Sequence, residues 1–257
     1  MLFTDTHAHL YLDEYKDDID IVIKNSVKAG VEKIIVPNID SSSIKPLHDL
    51  CNRFPLNCYP MMGLHPTSVK ENYKDELAEI ESELENHNFV AIGEIGIDLY
   101  WDKSFAKQQE EAFRQQIEWA IYYKLPIAVH SRKSLDIVIN ILKEYQEQKL
   151  KGVLHCFPGN ILQAEKAMEL GFYIGIGGVV TYNKSDMANV ALNIPVEYIL
   201  LETDAPFLTP VPYRGKRNES AYILNIAKKI GEIKSLPLEK VAEITTNNAL
   251  ILFNKIH

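Results

Sequence analysis

The sequence predicts a single (β/α)8 barrel domain over residues 1–257. Three observations lead to this prediction. Eight short, apolar, β-favouring segments occur along the chain, segments with helical spacing separate them, and no glycine-rich dinucleotide fingerprint follows the first of them. An open doubly wound sheet uses the same alternation, but its nucleotide-binding form would place that fingerprint where this chain has His7-Ala8-His9.

The predicted strands are short apolar runs of β-favouring residues. In chain order they are Leu2-Thr4, Lys33-Val36, Cys58-Met62, Val90-Gly93, Ile127-Val129, Gly152-Leu154, Phe172-Gly175 and Tyr198-Leu201. A strand followed by a helix, repeated eight times, is the sequence pattern of the barrel.

Helical periodicity is visible between the strands. Phe113, Ile117 and Ala120 recur every three or four positions, as the apolar face of an amphipathic helix does. Similar spacing occurs in Asp18-Val27, Asp75-Leu84, Leu135-Tyr145, Leu162-Leu170 and Ala221-Ile230. The last such segment, Leu238-Phe253, is expected to close the outer ring.

Composition is that of an ordinary globular protein, with 46% hydrophobic and 24% charged residues. The sequence has neither an apolar run of roughly 20 residues nor a signal-like start, so we expect a cytoplasmic protein without a membrane partner. A formal net charge of −8 argues against coating nucleic acid through a broad basic face, although an enzyme can still carry a local basic pocket. Three cysteines without a CxxC pair predict no disulfide framework, and no obligate protein partner is evident.

Metal-competent side chains follow six of the eight predicted strands. Because the carboxyl ends of barrel strands converge on one face, these side chains are expected to share one cavity. They are His7, His9, His65, Glu94, His130, His155 and Asp204. The other histidines fall in predicted helix, loop and terminus, and we expect no catalytic role for them; they are His48, His87 and His257.

The donor types predict an open, catalytic metal site. His7 and His9 are two apart on an extended segment and can bind one ion jointly, whereas Asp5 is better suited to supporting the strand end or a ligand histidine. Imidazole and carboxylate donors favour transition metals over calcium. The ligands exceed the needs of one tetrahedral ion, so we expect two divalent ions (Zn, Mg, Mn or Ni) that share Glu94.

Seven segments resemble the TatD-type metal-dependent deoxyribonucleases, which are amidohydrolase-like barrels. They occur in the family's order over nearly the whole chain: TDTHAHL (4–10), GLHP (63–66), IGEIGID (92–98), PIAVHSR (126–132), HCF (155–157), LETDAP (201–206) and RGKRNE (214–219). Pro158 and Ser220 depart from the family pattern, which uses serine and proline there. These changes affect loops over the substrate groove and remove no ligand.

The resemblance implies hydrolysis of phosphodiester bonds in DNA. By the same resemblance, one ion is held by His7, His9 and Asp204 and the other by His130 and His155. Glu94 is then the bridge between the two ions.

Several further residues are assigned provisional roles. Asp204 is expected to act as general base on a metal-activated water. Glu202 is expected to support a ligand histidine, and His65 either touches substrate or supports the metal site. Tyr100-Trp101 either stack on an unpaired base or anchor their loop.

Basic residues near the predicted site are candidates for phosphate binding. Arg132 lies two residues beyond His130, and Arg214 and Arg217 belong to the RGKR cluster after strand eight. Alternatively, that cluster is a run of charged side chains that are exposed to solvent and bind no ligand.

The sequence therefore predicts a metal-dependent deoxyribonuclease, with a 3'-5' exonuclease on single-stranded or frayed ends as its most specific form. Two alternatives stay open: a metal-dependent hydrolase of C–N bonds in amides or nucleobases, and a metal-binding protein without catalysis.

Overall fold

Eight parallel strands form the inner ring of the barrel in the computed structural model, which describes residues 1–256. The strands are β1 (Phe3–Asp5), β2 (Val31–Pro37), β3 (Cys58–Met61), β4 (Ile92–Asp98), β5 (Ile127–Arg132), β6 (Gly152–Leu154), β7 (Phe172–Ile176) and β8 (Ile199–Leu201). All pairings between them are parallel. The predicted barrel is confirmed.

Two short junctions close the ring. The strands β1 to β3 and β4 to β8 form two hydrogen-bonded groups. Between β3 and β4, the backbone N–H of Gly93 donates to Met62 O at 3.0 Å. Between β8 and β1, the N–H of Thr6 donates to Leu201 O at 3.1 Å and that of His9 to Ala205 O at 2.7 Å. The second junction brings the HxH segment beside the end of β8.

Nine α-helices surround the ring within residues 1–256. They are α1 (Ile19–Lys28), α2 (Ser41–Arg53), α3 (Tyr73–Asn86), α4 (Ala106–Tyr123), α5 (Leu135–Glu144), α6 (Ile161–Glu169), α7 (Met187–Asn193), α8 (Ile223–Lys234) and α9 (Leu238–Leu252). Periodicity did not reveal α2 or α7. The first begins with three serines and contains Pro46, and the second has only 7 residues, too few to show a repeat.

The fourth strand is longer than predicted. It runs to Asp98 rather than ending at Gly93, because glycines and acidic residues interrupt its apolar pattern while its ladder with β5 continues. Gly96 permits this pairing: its φ is +139°, and a Cβ there would lie 2.1 Å from His130 O. The close approach positions Glu94 and Asp98 beside His130.

The helices and the cysteines of the described residues bear on membrane insertion and disulfide formation. Within residues 1–256, every helix is too short or too polar to cross a bilayer. Cys51, Cys58 and Cys156 are free thiols, as predicted. His257, for which no catalytic role was expected, lies outside the described residues.

Candidate metal centre

All seven metal-competent side chains predicted at strand ends lie together at the carboxyl end of the barrel. Glu94 is at their centre and is only 2% exposed. His7 and His9 follow β1, His130 lies in β5, and the others follow β3, β6 and β8; these are His65, His155 and Asp204.

The first oxygen of Glu94 faces the HxH pair. Oε2 is 3.0 Å from Nε2 of His7 and 3.5 Å from Nε2 of His9. The two Nε2 atoms are themselves only 3.2 Å apart. Three electron-pair donors therefore converge on one point, as the ligands of a cation do.

The second oxygen of Glu94 faces residues from other strands. Oε1 is 2.8 Å from Nδ1 of His130, 3.4 Å from Nε2 of His65 and 3.7 Å from Nε2 of His155. The two carboxylate oxygens of Glu94 therefore face different sets of ring nitrogens.

Asp204 lies on the opposite side of the imidazole cluster. Its Oδ1 is 3.7 Å from Nε2 of both His9 and His155. Its φ of 54° is left-handed, a conformation that aspartate tolerates better than most residues. Its N–H donates to His7 O at 2.9 Å, which ties this turn to the end of β1.

Burial and charge shift the pKa values of the two central carboxyl groups in opposite directions. For Glu94, burial acts to raise the pKa, but His65, His7 and neighbouring imidazoles outweigh it and hold the pKa well below its ordinary value. For Asp204, burial prevails and raises the pKa to about 6. The surroundings therefore favour the charged form of Glu94 and disfavour the charged form of Asp204.

Two carboxylates behind the cluster orient its histidines. Oδ2 of Asp98 is 2.9 Å from Nε2 of His130, and Oε2 of Glu202 is 3.1 Å from Nδ1 of His155. Asp98 accepts a hydrogen bond from the ring N–H of His130, and the Glu202 carboxylate lies against the ring of His155. These contacts fix the orientation of both rings toward Glu94. The structure places Glu202 beside His155. Asp98 was missed, although it lies four residues after Glu94 in one strand and so on the same side.

The same carboxylates raise the basicity of the oriented rings. Burial opposes the charged form, but Asp98 and Glu94 raise the pKa of His130 to about 9. Glu202 and Glu94 likewise raise the pKa of His155 to about 10. These shifts indicate negative charge in excess of what neutral imidazoles balance. Together with converging imidazole and carboxylate donors, they fit a site for divalent cations.

His65 lies beside Glu94 and His130, and these three side chains form one of the donor groups that could hold a metal ion. Nδ1 of His65 accepts a hydrogen bond from the backbone N–H of Thr67 at 3.2 Å. The neutral ring then carries its proton on Nε2, the nitrogen that lies 3.4 Å from Glu94 Oε1. This arrangement agrees with a substrate or supporting role.

Asp5 supports the end of β1 and does not enter the cluster. Its carboxylate accepts hydrogen bonds from the N–H and hydroxyl of Thr203, at 2.9 and 2.6 Å. Of the two roles considered for it, strand support is the one that the structure shows.

An aromatic and cationic rim lies beside β4 and β5. The guanidinium carbon of Arg132 is 4.0 Å from the ring centre of Tyr100 and 5.2 Å from that of Trp101. Oδ1 of Asp98 accepts hydrogen bonds from both of their backbone N–H groups, at 2.9 and 3.3 Å. A single carboxylate thus joins the rim to metal-facing His130.

The two arginines of the RGKR cluster differ in their surroundings. Arg214 is exposed and stacks 4.5 Å from the Tyr182 ring centre. Arg217 instead forms a bidentate ion pair with Asp18. Its two terminal guanidinium nitrogens donate to the two carboxylate oxygens of Asp18 at 2.8 and 2.7 Å, and one of them also donates to Glu219. These partners occupy its guanidinium and hold the loop against the start of α1.

A cavity of about 270 Å³ opens between the loops after β6 and β7. Cys156, the neighbour of His155, lies at one side of it, and Phe157, Val179 and Met187 provide apolar walls. The cavity therefore begins one residue along the chain from His155.

A (β/α)8 barrel with a buried cluster of histidines and carboxylates at its carboxyl-end face has the features of a metal-dependent hydrolase. The family model described as "TatD related DNase" matches residues 4–254. This chain belongs to that family.

Individual relatives match this chain over nearly their whole lengths. A Bacillus subtilis protein named "Uncharacterized metal-dependent hydrolase YabD" is 40% identical over 254 residues, covering 98% of this chain and 99% of the relative. The crystal structure of the Escherichia coli TatD homologue YjjV superposes with a TM-score of 0.92 at 31% identity, covering 98% of each chain. A TatD-family hydrolase from Entamoeba histolytica gives a TM-score of 0.85 at 25% identity, again covering 98% of each chain. The protein is thus a metal-dependent hydrolase of the TatD family.

Proposed function

We propose that this protein hydrolyses phosphodiester bonds in DNA with two divalent metal ions, Zn, Mg, Mn or Ni. The observation that carries the proposal is the position of Glu94, whose two oxygens face separate sets of ring nitrogens. His7, His9 and Asp204 would hold one ion, and His130 and His155 the other, with Glu94 between them. Ions bound there would polarise phosphoryl oxygens and lower the pKa of a water.

Asp204 is the proposed general base. Its side chain is 14% exposed, against 3% for Glu94, so it is the more accessible of the two to water. As the water oxygen bonds to phosphorus and the ester P–O bond breaks, Asp204 accepts the water proton. Nε2 of His65 faces the same side as Glu94 Oε1 and is placed to donate a hydrogen bond to the leaving oxygen, while solvent supplies the proton that this oxygen takes up.

The rim formed by Arg132, Tyr100 and Trp101 is the proposed binding surface for the substrate. Arg132 offers a fork of N–H donors for phosphate oxygens, while Trp101 is 69% exposed and Tyr100 is 51% exposed. Exposed aromatic rings stack on bases without regard to sequence. Arg214 is the second proposed phosphate contact, because its guanidinium is exposed and stacked rather than ion-paired.

A single-stranded or frayed end is the proposed form of the DNA. Stacking on Trp101 needs a base that is free of its partner strand, and the cavity beside Cys156 can receive an unpaired base. The proposal is therefore a 3'-5' exonuclease that releases nucleotides from such ends.

A metal-reconstituted activity screen tests this proposal. Metal-free protein is loaded in turn with each of the four ions and given single-stranded, duplex and closed circular DNA, RNA and an amide substrate. We expect loss of single-stranded linear DNA and little attack on closed circles. His7→Ala should abolish hydrolysis, whereas His87→Ala removes an imidazole far from the centre and should not.

Other outcomes of the activity screen would support a different function. Rapid cleavage of closed circular DNA would exclude the exonuclease. Turnover of the amide alone would favour C–N hydrolysis. Ions bound at the centre with no hydrolysis of any substrate would indicate a binding protein.

A further inference from the structure

A second group of metal-competent side chains lies on the outer ring of helices. His48 belongs to α2, Glu83 belongs to α3, and His87 directly follows the last turn of α3. Nε2 of His48 is 2.7 Å from Oε2 of Glu83, and Nε2 of His87 is 3.7 Å from the same oxygen. Two imidazoles from different elements thus converge on one carboxylate oxygen.

The spacing of the three donors suits a small divalent ion. Their ligand atoms all lie within 4.8 Å of one another. A tetrahedral zinc ion with bonds of about 2.0–2.1 Å separates its ligand atoms by about 3.3 Å. The two distances to Glu83 Oε2, 2.7 and 3.7 Å, bracket that value, so small changes in side-chain position bring both imidazoles to an ion held by Glu83.

The site is both anchored and open to solvent. Glu83 and His87 are four residues apart and project from the same side of α3. The ring of His48 packs 5.9 Å from that of Phe89 and 4.7 Å from that of His87. The exposed fractions are 25% for His48, 22% for Glu83 and 51% for His87, so an ion can enter without rearrangement of the barrel.

The charge of α3 favours a cation at this place. The helix carries six acidic residues and one lysine; the acidic residues are Asp75, Glu76, Glu79, Glu81, Glu83 and Glu85. A surface with this excess of one sign concentrates cations near it.

We propose that His48, Glu83 and His87 bind one transition-metal ion of the zinc class, with the fourth position open to water. Two imidazoles and one carboxylate select such ions over magnesium and calcium, which prefer oxygen donors. The ion links α2 to α3 and binds only when these helices are packed, so it stabilises the folded chain. The site is separate from the catalytic centre and does not depend on the proposed substrate.

Zinc stoichiometry tests the proposal directly. The full chain is dialysed to equilibrium against Zn²⁺, and bound zinc is measured by mass spectrometry of the metal. We expect His48→Ala/His87→Ala to bind one zinc fewer per chain than the wild type while keeping its hydrolytic rate. Glu83→Gln should weaken this zinc at least tenfold, whereas Glu85→Gln removes the same charge from the same helix and should not.

Two further measurements keep the test decisive. His87→Ala changes a half-exposed side chain and is expected to fold, so a loss of zinc with an unchanged circular dichroism spectrum is attributable to the site. In a His7→Ala/His9→Ala background, zinc should still raise Tm, and His87→Ala should remove that rise. Equal zinc content and equal Tm response in the presence and absence of His48 and His87 would overturn the proposal.

Discussion

Oδ2 of Asp98 lies 2.9 Å from Nε2 of His130, and Oδ1 of the same carboxylate accepts the backbone N–H groups of Tyr100 and Trp101. Asp98 therefore fixes both a metal-facing imidazole and the loop that carries the aromatic rim. A disturbance at this one side chain should reach metal binding and substrate binding together.

Asp98→Asn is expected to weaken metal binding at the His130 side of the centre. The amide can still accept from the loop, but its NH2 group then faces the ring N–H of His130, so the imidazole loses the acceptor that orients it. Loss of such a partner typically reduces metal affinity about 10- to 100-fold. Metal titration monitored by activity measures this. Asp102→Asn on the same loop is the control, since Asp102 bonds Ser104 and Lys70.

Asp204→Asn is expected to lower kcat by about 10²- to 10⁴-fold, the range typical of a lost general base. The amide cannot take a proton from water at neutral pH, although its size and backbone conformation are retained. Steady-state kinetics with a metal assay and a melting curve separate lost chemistry from lost metal or fold. Undiminished turnover would rule out the role assigned to Asp204.

Trp101→Ala is expected to raise KM for single-stranded oligonucleotides about fivefold or more, because base stacking contributes about 1–3 kcal/mol. The rate on a small phosphodiester without bases should stay the same. Tyr122→Ala removes another exposed ring, 77% exposed at the end of α4, and should change neither value. An equal loss on both substrates would point to a loop-anchoring role.

Arg217→Ala is expected to lower the free energy of unfolding by about 1 kcal/mol through loss of the pair with Asp18 and of packing on Tyr15. KM for oligonucleotides should stay within twofold, in contrast to Arg132→Ala. Urea unfolding and steady-state kinetics measure the two quantities. A large rise in KM without a change in stability would instead support a contact between Arg217 and a substrate phosphate.

The stabilising effect of that pair should depend on pH. The hydrogen bond from Arg217 lowers the pKa of Asp18 below its ordinary value of 3.8. A lowered pKa in the folded state contributes stability that is complete above the ordinary value and is lost as the pH falls below it. The stability difference between wild type and Arg217→Ala should therefore be constant from pH 5 to 7 and shrink below about pH 4. A difference that does not decrease at all as the pH falls below the ordinary Asp18 pKa of 3.8 would exclude the ion pair as its source.

Much of the fold and of the centre is predictable because its signals are local. Each strand of the barrel is a short apolar run, and the residue that follows it faces the same end of the ring, so His7, His130 and Asp204 can be placed together without coordinates. The end of β4 could not be placed, because the ladder past Gly96 depends on the backbone of β5 and leaves no apolar pattern.

The barrel, the candidate metal ligands and the family could all be predicted from sequence, because strand order and strand ends are set by runs of consecutive residues. Three features came from the folded structure instead: the ring nitrogen that each imidazole turns toward Glu94, the position of Asp98 behind His130, and the ion pair of Arg217 with Asp18. The folded structure also brought His48 of α2 to Glu83 of α3. Each of these is a contact between side chains distant in the chain, and its existence depends on packing angles and rotamers that closure of the ring fixes.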